Sequence, residues 1–238
     1  MSADHDLAAD VPLLEFHPAA PRPDLLWRVQ LPSTWILLDT HPATWRSQAE
    51  RIAEDYLPGH RLRAAEKRLI REQLTHTVTA AQDAGVLLTL VLPGLLDDGT
   101  VSAATLLLRW EDSAPRRASL APAQHAFAHL DPQIKRTPEG NSWLSVHQEA
   151  LSGPLTNRRP VYTRQGYLPL PDSTWTLIIS GSAPTVELAE IVGEVVARLV
   201  NSVRVVPGGQ GERIGAKAPE GAEGREVAVN SAGLVSVR

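Results

Sequence analysis

The chain has 238 residues, 43% of them hydrophobic, with a formal net charge of −4 and no cysteine. That length buries a full core without covalent staples, and the acidic balance supplies no overall basic field for nucleic acid or anionic lipid. The missing cysteines exclude disulfides, thiolate metal sites and a cysteine nucleophile, and they suit a reducing cytosol.

Met1 to Asp10 is acidic and lacks the basic and apolar regions of a signal peptide. Without a cysteine a lipoprotein anchor is ruled out. The longest apolar run, Gly85 to Leu96, is short for a bilayer and is broken by Pro93-Gly94. The expectation is a cytoplasmic protein with no membrane insertion and no affinity for nucleic acid. Residues 1–23 carry Pro12, Pro18, Pro21 and Pro23 and read as a loose arm, with Val11-Pro12-Leu13-Leu14 as an optional docking strand.

Leu25 to Gln30 then reads as a strand, Leu31-Pro32-Ser33-Thr34 as a turn, and Trp35 to Leu38 as the return strand of a hairpin. Pro42 and Thr44 open a helix whose apolar positions Trp45, Ala49, Ile52 and Tyr56 follow helical spacing, and Pro58-Gly59 stops it. A longer helix is predicted from about Arg61 to Ala84. Its apolar stripe is Leu62, Ala65, Leu69, Leu74, Val78 and Ala81, and Gly85 stands at the left-handed cap position. Arg63, Lys67 and Arg71 form a basic stripe on the other side, suited either to a partner or phosphate or simply to solvent beside Glu66 and Glu72.

Val86 to Leu92 is apolar at nearly every position, as in a strand covered on both faces. Asp97-Asp98-Gly99-Thr100 is a turn into the partner strand Ser102 to Trp110; the two carboxylates are read as turn residues, not as an acid-base pair. Pro122 to Leu130 holds one or two helical turns. Strands follow at Trp143 to Gln148, Val161 to Leu168 and Trp175 to Ser180. The last helix starts at Pro184 and buries Val186, Leu188, Ala189, Val192, Val195, Val196 and Leu199. From Pro207 the Gly-, Ala- and Glu-rich composition reads as a disordered tail, 207–238, against the alternative that Val227-Ala228-Val229 or Leu234 to Val237 docks as a strand.

Leu31-Pro32-Ser33-Thr34-Trp35 returns as Leu170-Pro171-Asp172-Ser173-Thr174-Trp175. Each copy sits between a strand and a helix pattern, which predicts two hairpin-helix units related by an approximate two-fold across one sheet.

Chemistry is sparse. Gly208 to Gly215 neither follows a strand nor opens a helix, so it is no phosphate loop. Ser180-Gly181-Ser182 falls between a strand and a helix, where a nucleophile or anion site would stand, and where turn and cap residues also stand. His125 and His129 have the i, i+4 spacing of a zinc pair, with Asp131 beyond, but lack a metalloprotease glutamate; surface histidines are the plainer reading. His147 alternates with Trp143 and Ser145 on one sheet face. No catalytic, cofactor or metal set is assigned. Of the six tryptophans, Trp27, Trp35, Trp110, Trp143 and Trp175 fall on predicted strands. Each serves a core or a partner-binding surface, and Trp27, Trp110 and Trp143 with Arg63, Lys67 and Arg71 are the candidate partner contacts.

The element order resembles uncharacterised actinobacterial proteins found near type VII secretion and toxin loci, and the PsbP-like α/β/α sandwich. What carries it is a strand, the Leu31-Pro32 hairpin, a basic amphipathic helix, a central hairpin, the second Leu-Pro hairpin and a helix ending in Asn201-Ser202-Val203-Arg204. The resemblance covers residues 24–206 and implies protein binding without a shared catalytic motif. The expectation is one α+β domain: a single antiparallel sheet of six to seven strands flanked by helices. Its expected function is that of a non-enzymatic cytoplasmic chaperone, adaptor or immunity factor for a secreted or toxin partner, with a homodimer as a further arrangement. The competing expectation is a small-ligand or metal-dependent hydrolase using His125, His129 and His147.

Overall fold

The computed structural model describes residues 17–56, 62–96, 99–152, 158–206, 224–229 and 235–237. In chain order the elements are β1 (Leu26–Pro32), β2 (Ile36–Leu38), α1 (Trp45–Asp55), α2 (Ala64–Asp83), β3 (Leu88–Leu95), β4 (Val101–Asp112), α3 (Ala121–Ala126) and a 3-10 turn (Ala128–Leu130). There follow β5 (Gln133–Arg136), β6 (Ser142–Ser152), β7 (Arg159–Pro169), β8 (Trp175–Ala183), α4 (Val186–Ser202), β9 (Arg204–Val206), β10 (Gly224–Val229) and β11 (Val235–Val237).

The expected α+β architecture is present. A seven-stranded antiparallel sheet runs β2-β3-β4-β8-β7-β6-β5. Side chains alternate across it, and the register assigns them to two faces. On the first face, Leu88 opposes Leu108 and Leu90 opposes Leu106, while Leu108 opposes Ile179 and Trp110 opposes Leu177. All are buried in one core with α4 and β1. On the second face, Val91 and Val101 pack with α1 and α2 in a separate core built on Leu38, Trp45, Ala49, Tyr56, Ile70, Leu74 and Val78.

The helix α4 buries Ala189, Val192, Val195, Val196, Leu199 and Val200, a 3- and 4-step face that spans β7 and β8. At roughly 1.5–3 kcal/mol for each buried Val or Leu, this face is the largest single helical contribution to the core. It seats closely because β8 and β7 each place a glycine at a contact point beneath it. A Cβ on Gly181 would collide with Val192 Cγ1 and lie 2.9 Å from Leu106 Cδ2, and one on Gly166 would lie 2.9 Å from Val200 Cγ2. Thr185 caps the helix, its hydroxyl oxygen accepting from the Leu188 amide at 3.3 Å.

The helix α2 ends as its sequence requires. Gly85 has φ +62°, the Val86 amide donates to the Ala81 carbonyl at 2.8 Å, and the Gly85 amide donates to that of Gln82 at 3.1 Å. This double closure satisfies the last helical carbonyls. The buried stripe is rotated from the expected one: Ile70, Leu74, Val78 and Ala81 are buried, whereas Ala65 and Leu69 are exposed. Two overlapping stripes exist in this sequence, and packing on α1 selects the one through Ile70.

Further expectations are corrected. The strands β1 and β2 do not form a hairpin, because β1 belongs to a second, four-stranded antiparallel sheet ordered β11-β10-β1-β9. The segments 224–229 and 235–237, assigned to a disordered tail, are strands: Trp27 opposes Val229, Leu31 opposes Arg225, and β11 pairs on β10. In the arm, Ala20 is buried in the first core and Pro21 packs against Gly85. The two-fold relation between the repeated units also fails. Trp35 and Trp175 do contact the same core, but α1 lies on the second face and α4 on the first. The second loop carries an extra residue, Asp172 at φ +54°, and closes a true hairpin with the Leu170 amide on the Trp175 carbonyl at 2.9 Å. The shorter first loop passes between sheets. Asp97 and Asp98 lie outside the described residues; at the described end of that turn, Gly99 has φ +75°.

Candidate functional site

The strand β5 is short for a local reason. Pro132 precedes it without a donor, Asp131 before that sits at φ +48°, and after Arg136 the chain turns through Gly140 at φ +86°. Its four residues pair with the start of β6, from Arg136 opposite Ser142 to Gln133 opposite Ser145. The strand β6 runs on to Ser152, paired with β7 throughout, so that Leu144 opposes Tyr167 and Ser152 opposes Arg159. Among the described residues, 146–152 therefore have a neighbouring strand on one side only. In an antiparallel strand every second residue directs its N–H and C=O to the same edge. About three residues of this stretch thus present unpaired backbone groups, a ready template for another strand. The side chains agree: His147, Glu149, Ala150, Leu151 and Ser152 are exposed, with Leu151 at 63%, and Ile134 on β5 is 57% exposed.

The edge is also electropositive. Residues 133–164 contain five Lys and Arg (Lys135, Arg136, Arg158, Arg159, Arg164) against two Glu (Glu139, Glu149), in a chain whose net charge is −4. Glu139, in the turn between β5 and β6 at the opposite end of β6 from Ser152, is held by Arg204 at 2.8 Å. On the first face His147 stands opposite Arg164, with Lys135 one strand away. His147 is exposed at the surface, yet partial desolvation of its ring where it meets the sheet lowers its proton affinity from the ordinary 6.5, and the Arg164 and Lys135 charges push the same way. Its Nε2 lies 3.4 Å from Ser145 Oγ.

The other candidate residues lie elsewhere. Trp27, Trp110 and Trp143 are 1%, 1% and 2% exposed, so the expectation that they form a partner surface is corrected. Trp27 and Trp110 meet edge to face at 5.2 Å between ring centroids, locking the small sheet to the large one. Lys135 Nζ sits 5.4 Å from the Trp143 ring. Arg63, at the N-terminus of α2, and Arg71 are exposed and Lys67 is half-buried; none of the three is near the β6 edge or in the α2 cleft described below.

The three histidines do not converge. His125 ends α3 and His129 lies in the 3-10 turn, so no continuous helix aligns them. The Phe127 between them packs on Tyr167 at 5.6 Å, which is the second face, whereas His147 is on the first. Among the described residues no three His, Asp or Glu side chains form a metal-binding group. Ser180-Gly181-Ser182 lies inside β8, not in a turn before the helix. Ser182 Oγ pairs with Thr105 Oγ1 at 3.0 Å, and Ser180 Oγ accepts from Gln165 Nε2 at 3.2 Å, so both hydroxyls serve the sheet.

Two clefts flank the sheets. One of about 550 Å3 lies between α2 and the second face and is lined mostly by uncharged groups such as Gln73, Thr77, Thr105 and Ser182, with Glu72 and His76 also on its wall. The other, about 680 Å3, lies between β1 and the end of α4. Its three arginines already face carboxylates: Arg28 and Glu226 at 3.5 Å, Arg198 and Glu194 at 3.8 Å, Arg204 and Glu139 at 2.8 Å. No helix among the described residues is long and apolar enough to cross a membrane.

No protein-family model and no curated protein matches the chain. The edge went unseen in sequence because a strand's neighbours are not encoded in its own pattern. The one available signal was the basic balance of 133–164 within an acidic chain.

Proposed function

We propose that this chain is a non-enzymatic protein-binding module that acts in the cytoplasm as a chaperone, adaptor or immunity factor for a secreted or toxin partner. The observation that carries the reading is the outer edge of β6, 146–152, which extends past β5 with its side chains exposed. An edge of this kind takes an extended segment from a partner: backbone hydrogen bonds supply affinity, and alternate side chains supply specificity. The resemblance to proteins near secretion and toxin loci supports the same class, and an α+β scaffold holds the edge rigid from behind through β7 and β8.

The test is capture of partners from the native host with the tagged chain, using two edge variants, Gln148→Pro and Glu149→Pro. These are adjacent, so one directs its N–H to β7 and the other outward. Proline is tolerated only where the N–H faces away from the sheet. The variant that keeps its fold by circular dichroism is then the one that blocks strand addition. Loss of a reproducible partner in that variant supports the reading. Retention of the same partner overturns it. Two copies pairing through this edge is the competing occupancy, and light scattering of the wild-type chain reads it directly.

A further inference from the structure

We infer that the segment taken up along β6 is an acidic extended peptide. The inference rests on the protein-binding reading above and specifies the chemistry of the partner. A segment added outside β6 beyond Ser145 would lie in line with β5 and meet it at Gln133, with Asp131 just before that strand and Lys135 two residues farther back along it, opposite Trp143. His147 and Arg164, directly opposite each other, line the first face behind it. Arg159, opposite Ser152, marks the other end. The cations are thus Arg159 at one end, Arg164 on the first face one strand behind, and Lys135 beyond the other end. Glu149 is the one carboxylate that 146–152 themselves contribute.

Charge complementarity decides between occupants. A second copy pairing antiparallel on the same edge would bring the Lys135 end of one copy toward the Arg159 end of the other, a like-charge juxtaposition that disfavours association. A basic segment meets the same repulsion. A segment carrying Glu or Asp at alternate positions neutralises the cations while its backbone completes the ladder. Nucleic acid would satisfy the charge but not the unpaired backbone donors and acceptors, which are spaced for another strand.

The probes are a short labelled peptide alternating Glu with Val and Thr, the same peptide with Lys in place of Glu, and a single-stranded oligonucleotide. Fluorescence anisotropy is read with the wild-type chain, with Lys135→Gln/Arg164→Gln, and with the folded one of the two proline variants. The expected result is binding of the acidic peptide, weakened about tenfold by the double substitution and weakened again by salt. It is lost in the proline variant, and the lysine peptide does not bind. The inference is overturned if the lysine peptide binds as tightly as the acidic one, if the double substitution leaves acidic-peptide affinity unchanged, or if the oligonucleotide binds more tightly than either peptide. Failure of the two readings separates cleanly. If the native partner is lost from the proline variant while the acidic peptide does not bind, the edge stands and its charge preference falls. If the native partner is retained by the proline variant, the edge itself is wrong.

Discussion

Gly181→Ala tests the packing that holds the binding edge in place. The glycine lies in β8 directly beneath α4, and the added methyl would collide with Val192 Cγ1 and stand 2.9 Å from Leu106 Cδ2. Neither neighbour is free to yield: Val192 and Leu106 are both 0% exposed, and both are held by β-sheet and helix backbone. Overpacking of this kind costs about 1–3 kcal/mol. For a chain of this size each kcal/mol shifts the melting temperature by roughly 2–4 °C, so a fall of about 2–12 °C is expected. Gly193→Ala in α4 is the control. Its Cβ would make ordinary contacts, the nearest being Arg164 Cδ at 3.5 Å, and a helical Gly→Ala change stabilises by roughly 0.5–1 kcal/mol. Thermal unfolding by circular dichroism reads both. A Gly181→Ala protein melting at or above the wild type would refute the close seating of α4 on β8.

Trp27→Ala should cost about 3–5 kcal/mol through the lost contact with Trp110 and the cavity left behind, measured by urea unfolding, with partner capture unchanged while the variant is folded. The His147 proton affinity is lowered in the folded chain, first by partial desolvation and then by Arg164 and Lys135. The unfolded chain therefore binds the extra proton first, and stability should fall as pH drops below 6.5 toward the depressed folded value. His147→Gln should flatten that part of a melting-temperature profile; an unchanged slope contradicts the assignment. Of the three tyrosines, Tyr167 is pushed up to about 12 and Tyr56 higher still, mainly by burial. Phenolate absorbance should accordingly show both remaining protonated at pH values where an ordinary tyrosine, at 10.0, has ionised.

Local chemistry was readable where its cause is local. The cap at Gly85 and the buried face Val192, Val196 and Leu199 follow from residues within a turn or two of one another, whereas the last helix starts two residues after Pro184, behind Thr185. Pairing was not. The partner of β1 is β10, from the far end of the chain, and a Gly- and Glu-rich approach conceals the alternation of Val227 and Val229. The stripe of α2 shows a subtler limit, since Leu69 and Ile70 are equally apolar and only the packing on α1 distinguishes them. Trp27, Trp110, Trp143 and Trp175 were placed on strands correctly, while Trp35 lies in the bend before β2; burial depends on which sheet faces which, so Trp27, Trp110 and Trp143 turned out to be core. The candidate site fell outside the sequence's reach for the same reason: an open edge is defined by the neighbour a strand lacks.

Amide hydrogen exchange of the chain, alone and with its captured partner, bears most directly on the protein-binding account. The account predicts that the exposed edge of β6, 146–152, exchanges rapidly when free and becomes protected on binding, while α1 and α2 are unchanged. Protection confined to α2 or to the cleft beside Gln73, with 146–152 unaltered, would contradict it.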